Sequence, residues 1–366
     1  MRKILAVATS ILLLAIATPA QAATPVVRIV DVPHTNLDGS FRDNDLVLEL
    51  TPGGSLGKAL FGNTLTTTWV IDPALLDEVI DMADGYTFNG KPDPLGKSVA
   101  QIWLNQLRIA TIGNPVVALP YGNPDTALAR KLNPLELKYY TTLGQQKLED
   151  FFGKPVISQN GWGQGKSHLD SQLQGLYKSE SRLLASFTKV IQVDEITTSR
   201  MRLSRLLSPL LTEKDRNYFS YQARDGVGAI GEKLKVVSGR YQLTSEKVKV
   251  PLTVINDFDT ATVVTLSLIP LNSRVQVENV NNITIPPHSH IQIAVPFKVI
   301  ASGSTVVLAQ FMTPDGSRVG EVSRLNLSLT VIDSRVAWFT SGAAILLFLG
   351  AVAQSVRRIR RGRNEK

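Results

Sequence analysis

The sequence predicts an α/β domain followed by an all-β one. A βα-repeating, partial or degenerate barrel-like domain occupies residues 23–237, an immunoglobulin-like β-sandwich 238–333, and one transmembrane helix 336–356. Three observations predict this. Short apolar, β-branched runs alternate with helical patterns up to about Val237. Seven strand-like runs then follow with no helical pattern between them, and about twenty uncharged residues precede a block of arginines.

The first element is a leader. Arg2 and Lys3 precede an apolar run from Ile4 to Ala17, and Ala20-Gln21-Ala22 supplies the small residues of a signal-peptidase site, so residues 1–22 read as a cleaved secretory signal. At the other end, VAWFTSGAAILLFLGAVAQSV (336–356) has the length needed to cross ~30 Å of hydrocarbon. The basic tail 357–366 that follows places that end in the cytoplasm. The expected localisation is therefore the cell membrane, single-pass, with an extracytoplasmic body. Of the net charge of +8, the leader carries +2 and the tail +5, leaving +1 for residues 23–356. The basic pI thus reports topology, and no nucleic-acid partner is expected. With no cysteine, the body has neither disulfides nor thiolate sites and depends on burial for stability.

The α/β domain has five candidate strands: VVRIVDV (26–32), TTTWVI (66–71), PVVAL (115–119), KPVIS (154–158) and TKVIQV (188–193). Each is nearly apolar throughout, as in a parallel strand covered on both faces, and the intervals leave room for crossover helices. After the second, Asp72 is placed to cap a helix with Pro73 at its first position, Leu75, Leu76, Val79 and Ile80 as its apolar stripe, and Gly85 at its end. After the third, Asn123-Pro124 repeats the step, with Asp125 in the first turn. The sandwich strands VKVPLTVIN, TVVTLSLIP, RVQVENV, NITIPP, HIQIAVPFKV, TVVLAQFMTP and RLNLSLTVI are separated by turn residues, Asp315-Gly316 among them. Their position suits a stalk.

Ligands of parallel βα folds gather beyond the carboxyl ends of the strands. The residues there make Asp31, His34, Asp72 and Asp125 the candidate catalytic groups, and Tyr121, Asn160, Trp162, Asp194 and Glu195 the candidate ligand contacts. Carboxylates with one histidine and aromatic rings are what a carbohydrate site uses. Helix capping for Asp72 and Asp125, and capped or solvated positions for Asp194, Glu195 and His34, are the favoured account of the same residues. NGWGQGKS (160–167) ends like a phosphate-binding loop in Gly165-Lys166-Ser167, but Asn160 stands where the first glycine is required; it reads as a glycine loop presenting Trp162. His288 and His290 share a strand face without a third ligand, and no metal or cofactor is expected. Arg200, Arg202 and Arg205 read as the solvated basic side of an amphipathic helix.

The segments VVSGRYQLTSEKVKVPLTVIN, PPHSHIQIAVPFKVIASG, TPDGSRVGE and the apolar stretch with its RRIRR end resemble the C-terminal part of an actinobacterial secreted, membrane-anchored family of unknown function. TPGGSLGKALFG, TWVIDPALLDEV and ALPYGNPDTALA are similar to its N-terminal part. The resemblance implies genes beside a lipid II flippase-type protein, hence a link to cell-envelope assembly, and supplies no catalytic residues. The leading expectation is a scaffold or binding module for an envelope protein, wall glycan or precursor, held at the membrane through 336–356. The alternative is a glycan hydrolase or deacetylase using some of Asp31, His34, Asp72 and Asp125.

Overall fold

A computed structural model describes residues 24–62, 66–158, 161–163, 165–330 and 334–362. The expected signal peptide, 1–22, lies outside the described residues, as does Asn160.

The chain opens with β1 (Val26–Ile29), α1 (Asp45–Leu50), α2 (Ser55–Phe61), β2 (Thr68–Ile71) and α3 (Pro73–Asp84). A small hairpin, β3 (Thr87–Phe88) and β4 (Lys91–Pro92), leads into α4 (Pro94–Ala110) and β5 (Val116–Ala118). The strands form a parallel sheet in the order β1-β2-β5, extended by a single bridge from Val117 to Ile157. Its strands are apolar on both faces, and Ile29, Trp69, Ile71, Val116 and Ala118 share one core with α1–α4. Asp72 caps α3 by accepting from the Ala74 amide at 2.9 Å, Pro73 opens it, and Gly85 ends it.

The sheet stops there, which corrects the barrel expectation. TKVIQV is not a strand: α7 (Ser171–Phe187) runs up to it, and Ile191 is buried against the later β-rich core. The Val190 carbonyl accepts a hydrogen bond from the Thr262 hydroxyl at 3.1 Å. The apolar residues are consumed by packing on the sandwich, so an apolar run of that length was ambiguous between strand and helix end. Between the sheet and the sandwich lie α5 (Thr126–Leu132), α6 (Pro134–Phe152), α7, α8 (Asp194–Arg202), a 3₁₀ turn at Leu203–Leu207 and α9 (Glu213–Lys233).

The sandwich begins directly where α9 ends. Its first strands are β6 (Leu234–Val236), β7 (Gly239–Leu243), β8 (Lys247–Asn256), β9 (Thr262–Pro270) and β10 (Val275–Val277). The remainder are β11 (Val280–Ile285), β12 (Ser289–Val299), β13 (Gly303–Met312) and β14 (Arg318–Leu329). One sheet runs β10-β12-β8-β6 and the other β11-β9-β13-β14-β7, a two-sheet arrangement of immunoglobulin-like type. Alternation along β13 places Thr305, Val307, Ala309 and Phe311 inward. A single hydrophobic core runs from α5–α9 into both sheets.

The C-terminal segment is helical, α10 (Ser334–Gly362). Among the described residues no helix is long and apolar enough to cross a membrane. The expected transmembrane helix at 336–356 is therefore corrected to a C-terminal helix on which Ile345, Leu346, Leu347, Phe348 and Leu349 are exposed.

Candidate functional site

Beyond the carboxyl ends of β1, β2 and β5 the chain builds a buried polar network and, beside it, an open cleft. The network centres on Glu78, which α3 aims inward. Its carboxylate accepts from the His34 amide at 3.1 Å, from the Thr35 amide at 3.2 Å and from the Thr35 hydroxyl at 2.6 Å. The guanidinium of Arg205, on the 3₁₀ turn, pairs with it at 2.9 Å and donates to the Thr35 hydroxyl at 2.8 Å. Both charged side chains are almost fully buried.

Asp72 also sits at this network. Besides capping α3 it accepts from the Gly122 amide at 2.9 Å. Burial pushes its carboxyl up to about 7, against the Ala74 amide, the Arg205 charge and the Gly122 amide, which all favour the anion. Gly122 has φ 75, and a Cβ there would lie 2.4 Å from the Ser204 hydroxyl, so the turn after β5 needs glycine to pass the 3₁₀ turn.

His34 is buried, its Nδ1 2.7 Å from Asp43 and its Nε2 3.7 Å from Asp31. Burial alone would lower its pKa; the nearby Asp31 carboxylate, the hydrogen bond to Asp43 and the Glu78 charge outweigh that and raise it to about 9. The imidazolium thus contributes stability that is complete below the ordinary value of 6.5 and lost as pH rises through about 9. We expect urea stability to fall by roughly 2–3 kcal/mol between those pH values, and an Asp43→Asn chain to show a much flatter profile.

Asp31, Asp72, Glu78 and Arg205 line a void of only about 10 Å³, room for about one water. The remaining candidates are dispersed. Asp125, not Asn123, is the cap of α5, accepting from the Ala127 and Leu128 amides at 3.0 and 3.1 Å and from the Ser167 amide at 2.9 Å. Asn123 instead sits at φ 44 in the turn before it. Trp162 packs on Val70, Val117 and Leu119, and its carbonyl accepts from Arg28, so Trp162 itself lies against the sheet. Asp194 and Glu195 occupy the first turn of α8, where Glu195 pairs with Lys233 at 2.6 Å, away from the strand ends. His288 and His290 pair with Asp259 and Asp257 on the surface, and no metal-holding cluster exists among the described residues.

The open cleft, about 500 Å³, is lined by Asp77, Asp81, Tyr121, Lys147, Arg202 and Arg205, among others. The Tyr121 hydroxyl donates to Asp77 at 3.1 Å, and Lys147 pairs with the same carboxylate at 3.1 Å. Burial pushes the Tyr121 phenol up, and burial with the neighbouring Asp77 charge raises Asp81. The arginines expected on a solvated face are engaged. Arg200 grips Glu136 with two hydrogen bonds at 2.9 and 2.7 Å and lies over Tyr139, Arg202 donates to the Leu37 carbonyl, and Arg205 is buried. Of the six residues named, the sequence singles out Tyr121 alone as a ligand contact; Asp77, Asp81 and Lys147 look like ordinary helix-surface charges.

No curated protein matches the chain. Among solved structures, it is similar to a C. elegans MSP family member at 9% identity, covering 27% of this chain and 98% of that one with a TM-score of 0.22. It is likewise similar to E. coli alpha-2-macroglobulin at 10% identity, over 27% of this chain and 6% of that one, TM-score 0.22. A third similarity is to the PapD-like domain 7 of human CEP192, at 10% identity over 28% and 87% of the two chains, TM-score 0.21. At these scores none of them bears on what this chain does. A family profile matches residues 154–364, from the end of the α/β part through the sandwich to α10, which is more than half of the chain. The chain belongs to this family of unknown function, DUF6049.

Proposed function

We propose that the protein is a non-catalytic binding module of the cell envelope, exported to the outer side of the membrane, that holds a polar wall glycan or precursor in the cleft over Tyr121. The observation that carries this reading is the division of labour at the strand ends. The carboxylates suited to acid–base chemistry, Asp72 and Asp125, are spent on helix amides and neighbouring backbone. The cleft beside them offers closely spaced donors and acceptors of both signs around one aromatic residue, as hydroxyl-rich ligands require. The leader-like residues 1–22 support export, and the resemblance to an actinobacterial family encoded beside a flippase-type protein supports wall assembly as the setting.

The test is calorimetry of the full chain with solubilised cell-wall glycan fragments. We expect binding that Asp77→Asn and Arg202→Ala each weaken about tenfold while circular dichroism is unchanged. Absence of heat with every fragment, or equal binding by both variants, would remove the proposal.

A further inference from the structure

A second cleft, about 610 Å³, opens where α7 and α9 meet the start of β14. Glu180 is among its lining residues. That side chain is 5% exposed, and neither carboxylate oxygen has a hydrogen-bond partner among the described residues. Burial pushes the group up to about 7, only partly opposed by the charge of Arg224. The rim carries Arg182 from α7, Arg224 from α9, and Arg318 and Glu321 from β14, all exposed. The side chains of Arg182 and Arg318 make no hydrogen bond or ion pair among the described residues, whereas Arg224 is turned toward Asp225 at 2.8 Å.

A buried carboxylate with both oxygens free calls for a ligand group that supplies donors and positive charge together. A hydroxyl would satisfy the hydrogen bonds and leave the charge uncompensated, whereas an ammonium does both. The three arginines of the rim repel a bare cation and favour a ligand that brings its own anion.

We propose that this cleft is a ligand site for a small zwitterion of the α-amino-acid or short-peptide type, its ammonium on Glu180 and its carboxylate on the arginine rim. Glu180 supplies two acceptors to three ammonium protons. A rim guanidinium receives the carboxylate as a bidentate pair. The site is separate from the cleft over Tyr121 and shares none of its lining residues, so its occupancy does not depend on what that cleft binds.

The experiment is calorimetry of the full chain with glycylglycine as the probe, at up to roughly millimolar affinity. N-acetylglycylglycine lacks the ammonium and glycylglycinamide lacks the carboxylate; each is expected to bind at least about tenfold more weakly. Glu180→Gln keeps the side chain's shape and removes its charge, and is expected to lose binding about tenfold, as is Arg318→Ala on the exposed rim. Should Glu180→Gln fail to fold, the two capped peptides and Arg318→Ala still decide the matter. Equal heats from the three peptides, no heat from glycylglycine, or binding unchanged in Arg318→Ala overturns the proposal. Displacement of glycylglycine by inorganic phosphate at equal concentration would show an arginine-only anion site and overturn it as well.

Discussion

Arg205→Leu is expected to cost about 3–5 kcal/mol of stability in urea, the range for removing one partner of a buried ion pair. The loss comes mainly from the residue left behind. Glu78 would keep its three hydrogen bonds from His34 and Thr35 but hold an uncompensated charge on an almost fully buried side chain. The double variant Glu78→Gln, Arg205→Leu removes that charge and is expected to recover a large part of the loss. Recovery smaller than about 1 kcal/mol, or a single-variant cost of that size, would mean that the pair is not the centre of the network. Because Arg205 also lines the cleft over Tyr121, the single variant should lose ligand as well as stability.

Gly144→Ala is the second large effect. In α6 this glycine lets the helix touch the end of β5. A Cβ would lie 2.5 Å from the Leu119 carbonyl oxygen and 3.0 Å from the Tyr121 amide nitrogen, both backbone atoms unable to yield. The cost expected of such overpacking is about 1–3 kcal/mol. The Tyr121 amide, which donates to the Tyr140 carbonyl at 3.0 Å, would shift with it, so binding in the adjacent cleft should weaken too. Gly175→Ala in α7 is the control. Its Cβ meets open space, and helix propensity predicts a gain of about 0.5–1 kcal/mol. Equal thermal midpoints for the two variants would exclude the close approach at Gly144.

Local grammar was readable from the sequence wherever a short stretch decides the outcome. Asp72-Pro73 opens α3, Gly85 closes it, and Asp315-Gly316 turns β13 into β14. At Asn123-Pro124-Asp125 the same grammar misled by two residues, because a left-handed asparagine and an aspartate cap both suit an Asx-rich turn. What stayed hidden depends on distant partners. Glu78 sits beside Leu75, Leu76 and Val79 on α3 and reads as a polar interruption of the stripe, since the arginine that neutralises it is 127 positions away. A local signal existed in LSRLLSPLL, where Arg205 stands among Leu203, Leu206 and Leu207, all buried, a poor setting for a solvated charge. Ile191 and Val190 went wrong for the converse reason: their partner was the sandwich, not a neighbouring strand.

The direct passage from α9 to β6 sets how the protein reaches. At its start, Arg216 of α9 donates to the carbonyls of Ser208 and Leu211 beside the 3₁₀ turn, and at its end Lys233 runs into Leu234 of the sandwich with no residue between. A helix of that length is a rod of about 30 Å. A flexible linker would let the two ends wander over a distribution of separations; a continuous rod fixes one. Whatever holds the sandwich therefore presents the cleft at a set height and orientation, in the manner of a gauge rather than a leash.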